Sequence, residues 1–394
     1  MSRAAELLRK AWSALNVAVL LYCWAVWLWI FAVRMMDRWG HLRGGLIVND
    51  PPCVKPECDF SDFWRSGYSL WRPGADPLHG MLAPGVQMPF PAGYAVGFPY
   101  PPPIFLLIIP VAHLPFELGF FVWSALLAGT AVLVLRWARL PWPVIAAGLL
   151  SPAALWNDQL GQFGTVGGAL LVAGLLLAQT APGRAGALLG LLVIKPQIGM
   201  LVPALWLGRG GARLALGFFV VVLGAVGLTL VIFGPHLWGA FFFQGSRGEV
   251  SLMAGHIAAG MAQSTGVTVF WMMRSLKIGT GLAAAIQVVC SLAAFGMCVR
   301  LWGRNGMDPI RRMALTTMLF LIAMPYGYTD DMVAFSLALA ALAARRGWGL
   351  GVIDVLGWLW PAFCQPVVGI TGVLFTPLVV GLALGREIWL ERSA

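Results

Sequence analysis

The chain has 394 residues, 59% of them apolar and only 11% charged, with a mean hydropathy of +0.81. A soluble domain usually carries about 25% charged residues, so this chain cannot cover a core with polar surface, and lipid must be its solvent. The formal charge of +10 does not point to nucleic acid. The basic residues stand in ones and twos between apolar runs, without a basic stripe, and read as topology signals.

Arg3, Arg9 and Lys10 precede an apolar run over 12–33, an order that resembles a signal peptide. The run is long enough to span and no A-x-A site follows it, so it is expected to stay as the first crossing. Residues 34–116 form a long stretch rich in Pro, Gly, aromatics and acids, and loops this long are rarely idle. Its apolar piece 104–112 is too short to cross and is flanked by prolines, which suits a helix at the membrane surface. Crossings follow at 117–135, 141–156 and 164–179. Segment 185–207 is interrupted by Lys195-Pro196-Gln197, with Arg184 before it and Arg209 and Arg213 after it. A single span would put one arginine group on the wrong side, so two short helices with Lys195 at the apex are expected. The remaining crossings are 214–233, 281–302, 313–325, 332–344, 348–364 and 367–384, with a second long loop at 234–280.

With the N-terminus cytoplasmic, the short basic connections at 136–139, 184, 209–213, 304–312 and 345–346 all fall inside, as does the C-terminus. The outer side receives both long loops, Asn157-Asp158-Gln159, the stretch 326–331 and most of the sixteen acids. The expected fold is an all-α integral membrane protein of about twelve helices, with juxtamembrane helices in the first outer loop. Two modules are expected, 1–212 and 213–394, in a multi-pass protein of the plasma (inner) membrane. No internal repeat is visible, which counts against a repeat-built transporter.

Asp59 and Asp62 follow the first crossing in CDFSDFW. A carboxylate at a membrane surface can serve as general base towards a hydroxyl. Acids in loops are commonly just solvated, but here Phe60, Phe63 and Trp64 would hold the segment against the bilayer. Lys195 is the clearest anomaly. A lysine at mid-bilayer costs roughly 2.5–3.5 kcal/mol and marks a functional site by default. Pro196 frees backbone donors beside it, and an ammonium with free N–H groups suits a phosphate; the bland alternative is a lysine snorkelling at a helix end. Asn157, Asp158, Gln159 and Gln162 form a polar cluster at the outer level, and Asp330 and Asp331 enter an apolar run there. His256, Gln263 and Ser264 lie in the second outer loop with Arg247 and Arg274. Cys53 and Cys58 lie together in a polar outer loop, where a disulfide is expected; the other four cysteines sit in apolar runs. No Walker A motif, H-E-x-x-H, paired C-x-x-C or G-x-S-x-G is present, so an activated substrate must arrive by a route other than a recognisable nucleotide site.

The order of short motifs resembles a known family. Asp59-Phe60 with Phe63 and Trp64 is followed by Tyr100-Pro101-Pro102, Gly161-Gln162, Lys195-Pro196-Gln197, Gln263-Ser264 and Asp331. This set is similar to glycosyltransferase family 87 of the GT-C superfamily, whose members include polyprenyl-phosphate-mannose-dependent mannosyltransferases, over about residues 1–345. The resemblance implies a GT-C fold, Asp59 as acceptor base, and a carrier lipid entering sideways. Of the residues expected to bind substrate, Tyr100, Gln162, Lys195, Gln263, Ser264 and Asp331 stand in these motifs; Asp62, at a position where the family is variable, and Arg247 and His256 are added for their charge and their place in the outer loops. No cofactor or metal is implied: the donor is a polyprenyl phosphate sugar, the acceptor a lipid or glycan on the outer (periplasmic or extracytoplasmic) face. Ala262 and Leu78 depart from the residues common in the family, which bears on sugar and acceptor specificity. A phosphate ester leaving group needs positive charge and no proton, so one carboxylate and one or two cations suffice, with inversion at the anomeric carbon. The competing readings are a transporter or lipid flippase, which would place charges at several depths, and a scaffold subunit, which would not need Lys195.

Overall fold

The computed structural model describes residues 3–43, 59–70, 100–208, 210–245, 253 and 265–392. Among these there is helix but no strand; the one β contact is an isolated antiparallel bridge between Gly266 and Tyr328. The first part comprises α1 (Arg3–Arg43), α2 (Asp59–Ser69), α3 (Phe105–Ala112), α4 (Phe116–Trp137), α5 (Trp142–Leu149) and α6 (Pro152–Leu160). Then come α7 (Gly164–Leu177), α8 (Pro182–Gly190), α9 (Val202–Trp206), α10 (Gly211–Phe233) and α11 (Pro235–Ala240). The last are α12 (Val269–Ser275), α13 (Thr280–Gly303), α14 (Pro309–Ala323), α15 (Val333–Arg345), α16 (Val352–Thr371) and α17 (Thr376–Arg392).

Five described helices are long and apolar enough to cross a membrane: Ala14–Met36 within α1, and α4, α10, α13 and α16. Helices α1 and α10 bury almost none of their surface, and Val231 on α10 is 85% exposed. An apolar helix exposed in this way is lipid-facing. By contrast α7, α14 and α15 are buried along nearly their whole length. These short helices form the interior, and glycines let them close up. A Cβ at Gly168 of α7 would lie 2.8 Å from the backbone nitrogen of Ala334, and one at Gly174 would lie 2.7 Å from the Leu189 side chain.

The segment around Lys195 breaks as the sequence implies. Two 3-10 turns, Leu191–Ile194 and Pro196–Gly199, flank Lys195, whose backbone (φ −136°, ψ 72°) is non-helical. The chain then returns to its starting level. Gly183, Gly186 and Gly190 of α8 face Arg213, Leu214 and Phe218 of α10 in parallel register, and a Cβ at Gly210 would meet Pro182 at 3.3 Å. Helices α8 and α10 therefore start side by side, and the residues between them go out and come back with Lys195 at the far end.

Other boundaries differ from expectation. The segment 141–156 is not one helix but α5 and α6, separated where Ser151 caps α6 through its hydroxyl and Pro152 occupies the first turn; proline lacks the N–H that a continuous helix needs. The final turn lies at 372–375 instead of 365–366, because α16 runs on through Pro361 and Pro366 and stops at Gly372 in the left-handed region (φ 71°). Helix α1 extends at both ends beyond 12–33.

Hydrogen bonds along α1 define the two ends of the bundle. Asn16 Nδ2 donates to Leu350 O (3.3 Å), Trp24 Nε1 to Leu150 O (2.7 Å) and Arg34 Nη1 to Gln159 Oε1 (3.2 Å). At the Leu350 end, Arg346 and Arg386 each bridge both Asp354 and Glu387, at 2.6–2.8 Å. That clamp ties α16 and α17 to the end of α15. The Gln159 end is the opposite one.

Tight contact of α8 with α10 yields a stability test. The Cβ of Gly186→Ala would collide with Leu214 O, and overpacking of this kind costs about 1–3 kcal/mol. Gly224→Ala on the same α10, with nothing within 4 Å of its Cβ, should be neutral or slightly stabilising. Thermal unfolding in detergent should separate the two variants; equal midpoints would contradict the packing.

Candidate active site

Helix α2 carries the first acid. Asp59 and Asp62 fall in its first turn, where carboxylates complement the helix dipole. Phe60, Phe63 and Trp64 are buried and bind the helix to its neighbours. Phe60 meets Phe120 edge-on at 5.5 Å, Phe63 lies 4.8 Å from Tyr100 and 5.9 Å from Trp123, and Trp64 Nε1 donates to Leu114 O at 3.0 Å. At Gly67 a Cβ would be 2.6 Å from Ile108. This aromatic face fixes Asp59 at the start of the helix, half-buried, while Asp62 stays exposed.

Helix α6 ends at Gly161 with φ +69°, and a Cβ there would also lie 2.6 Å from Cβ of Phe60. Glycine is needed both for the left-handed turn and for the approach of α2. Trp123 Nε1 pins the Gly161 carbonyl at 2.8 Å. The turn delivers Gln162, whose Nε2 donates to Asp59 Oδ2 at 2.7 Å, while its Oε1 accepts from Tyr100 OH at 2.8 Å and from Phe163 N–H at 3.2 Å. Three separate motifs thus become one hydrogen-bonded chain. Beside it, Asn157 Nδ2 donates to Thr165 Oγ1 (2.8 Å), which donates in turn to Asp158 Oδ1 (3.2 Å).

Lys195 is 3% exposed. Its Nζ lies 2.8 Å from Asp330 Oδ2 and 2.5 Å from Asp331 Oδ1, all three side chains buried. The turn Thr329–Met332 that presents the two aspartates is held by Asp331 Oδ2 accepting from Tyr328 N–H at 3.0 Å. Further bonds run from Thr329 N to Thr265 O (2.9 Å) and from Val267 N to Gly327 O (3.0 Å). Gly164 lets this turn come close, since a Cβ there would collide with Asp330 O.

The two groups form one electrostatic neighbourhood. Burial pushes the Asp59 carboxyl up to about 7; the Asp330 carboxylate adds to the rise, and the Gln162 bond and the Lys195 charge oppose it. Among the described residues no three His, Cys, Asp or Glu side chains converge as metal ligands would.

The structure therefore joins Asp59, Gln162 and Tyr100 in one group and Lys195 with Asp331 in an adjoining one, with Asp62 on the exposed flank of α2. Arg247, His256, Gln263, Ser264, Cys53 and Cys58 lie outside the described residues. Sequence reasoning noted Asp330 but did not pair it with Lys195. The available signal was charge, since an ammonium in an apolar segment needs a partner, and Asp330 is one of the few acids entering such a run. Thr165, Thr265 and Thr329 were missed, because threonines at helix ends are too common to stand out.

The family model of glycosyltransferase family 87 matches residues 98–325. That range contains Tyr100, Gln162 and Lys195, whereas Asp59, Asp330 and Asp331 lie beyond it. No curated protein and no solved structure matches the chain.

Lys195→Met would leave two carboxylates buried without their cation, and breaking a buried pair in this way costs about 3–5 kcal/mol. A lower thermal midpoint in detergent is expected. Adding Asp330→Asn and Asp331→Asn should restore most of the loss. A Lys195→Met protein as stable as the parent would show that the ion triad does not hold the interior together.

Proposed function

Given that the chain belongs to glycosyltransferase family 87, and is thereby a membrane glycosyltransferase, we propose that it transfers a hexose, mannose by the resemblance drawn above, from a polyprenyl phosphate to a lipid or glycan acceptor. The observation that carries this reading is the meeting of a half-buried carboxylate, Asp59, with a buried ammonium, Lys195, at one end of an apolar bundle. Such a place suits a reaction between a membrane-anchored phosphate ester and a hydroxyl. In the proposed GT-C fold the carrier chain stays in lipid and presents only its headgroup.

In the proposed reaction Asp59 accepts the acceptor hydroxyl proton as that oxygen attacks the anomeric carbon. The bond from this carbon to the phosphate oxygen breaks, and its electron pair leaves on the phosphate. Attack from the face opposite the leaving group gives inversion. The phosphate departs as an anion and needs no general acid, only positive charge. Lys195 has three N–H donors, of which two face Asp330 and Asp331; the third is assigned to the phosphate. Two carboxylates against one ammonium leave the triad negative overall, so a second cation is required, for which Arg247 and His256 are the candidates. Asp62, Gln263 and Ser264 are assigned to substrate contacts, and Asp331, whose two oxygens face Lys195 and the Tyr328 N–H, to holding the ammonium that meets the phosphate.

For orientation, the arginine clamp at the Leu350 end is assigned to the cytoplasm under the positive-inside rule. The Asp59 end then faces outward, in the twelve-crossing layout with both termini inside. Reporter fusions should report Gly74 outside and Arg346 inside; a cytoplasmic signal from Gly74 would overturn this orientation.

Catalysis is tested by incubating purified protein with labelled polyprenyl phosphate mannose and a membrane lipid extract. Transfer is expected, and Asp59→Asn should lower turnover about 100- to 10,000-fold with carrier binding retained. Asp62→Asn, altering an exposed side chain, should lower it far less. A base whose carboxyl is raised to about 7 is protonated at lower pH, so activity should rise with pH through that region. If nucleotide sugars but no polyprenyl phosphate sugar support transfer, the donor assignment fails. If both aspartate variants retain parental turnover, the proposed base is wrong.

A further inference from the structure

The surroundings of Gln162 point to a role other than the substrate contact expected of it. It is 8% exposed, and both ends of its amide are already engaged by the protein. The amide oxygen has two lone pairs; Tyr100 OH takes one at 2.8 Å and the Phe163 N–H takes the other at 3.2 Å. The Phe163 N–H is a backbone donor that cannot become an acceptor. Turning the amide over would set its NH2 against this donor and its oxygen against the Asp59 carboxylate. Only one orientation is therefore stable, and it aims Nε2 at Asp59 Oδ2, 2.7 Å away, the length of a charge-assisted bond.

The platform under this amide is rigid. Gly161 sits at φ +69° against Phe60, with its carbonyl pinned by Trp123, and the Tyr100 ring packs on Phe63. Among the described residues the hydrogen bond on the Asp59 carboxylate falls on Oδ2, and Oδ1 accepts none. One carboxylate oxygen is held by the amide and the other is left without a bond from the described residues.

We propose that Gln162 is a positioning residue for the base: with its amide oriented by Tyr100 and Phe163, it fixes Oδ2 of Asp59 and leaves Oδ1 as the atom that takes the acceptor's proton. This deepens the transferase reading and rests on it. The charged and titratable neighbours of Asp59 in the same site are Asp62, Lys195, Asp330 and Tyr100.

The test compares kcat, the KM for each substrate and the pH profile of kcat in Gln162→Leu, Gln162→Glu and Tyr100→Phe, with polyprenyl phosphate mannose as donor. Loss of a hydrogen bond to a charged group corresponds to about 10- to 100-fold, and Gln162→Leu should lose that much kcat with little change in either KM. Its ascending pH limb should move to higher pH, because the carboxylate has lost a donor that favours its ionised form. Gln162→Glu should move the limb further, since two adjacent carboxyls then share a proton. Should Gln162→Leu fail to fold, Tyr100→Phe keeps the ring and removes only the hydroxyl. It should lower kcat about 2- to 10-fold and shift the limb in the same direction. A raised donor KM with kcat and pH limb unchanged would make Gln162 a sugar contact and overturn the proposal. A parent protein inactive with polyprenyl phosphate sugars, or an Asp59→Asn variant as active as the parent, would instead reject the transferase reading beneath it.

Discussion

The ion triad of Lys195 with Asp330 and Asp331 is the constraint on which the rest of the site depends. An ammonium in apolar surroundings is expensive, and here two buried carboxylates answer it at 2.8 and 2.5 Å. The partners stand 135 residues apart, so satisfying the charge forces the apex after α8 against the turn between α14 and α15. The surplus carboxylate has two opposed effects. It adds to the rise that burial gives the Asp59 carboxyl, which makes that group a better proton acceptor near neutrality, and it leaves the site repelling anions.

Close approach of backbones is the second requirement. Gly161 admits Phe60, Gly164 admits the Asp330 carbonyl and Gly168 admits Ala334. Each brings a segment from a different part of the chain to within van der Waals distance of α6 or α7. The polar side chains can then reach one another with short, defined bonds, and the aromatic packing of α2 on α4 keeps the carboxylate from drifting. Adding a side chain at any of these positions would separate elements that carry the chemistry.

The bundle is polar at both ends for different reasons. One end holds Asp59, Gln162 and the triad; the other holds Arg346 and Arg386 on Asp354 and Glu387. Helix α15 connects them, and its 13 residues rise about 20 Å. A hydrocarbon core is about 30 Å thick. The two polar ends are thus closer together along α15 than a hydrocarbon core is thick.

Composition alone determined the solvent: a chain with so few charges has to fold in lipid, and there its long unbroken apolar runs satisfy their backbone as helices, not as the alternating strands of a closed barrel. The break at Lys195 was legible because a lysine followed by proline cannot continue an apolar helix, and most long apolar runs matched helices within a few residues. The end of α16 was not legible, because prolines inside a helix are tolerated in lipid when neighbours satisfy the freed groups. Nor was the splitting of 141–156, which a serine cap and a proline impose locally. Lys195 stood out as a lone charge in an apolar run and Asp59 as an acid among aromatics. What each faces was decided only by the fold. Hydrogen-bond partners are set by distance in space, and Asp59 is 103 residues from Gln162, a separation that no local pattern spans. The sequence thus determined that an acid, an amide and a lysine are present in an apolar chain. Tertiary structure decided that the amide holds the acid and that two further acids hold the lysine, because only packing brings those groups within bonding distance.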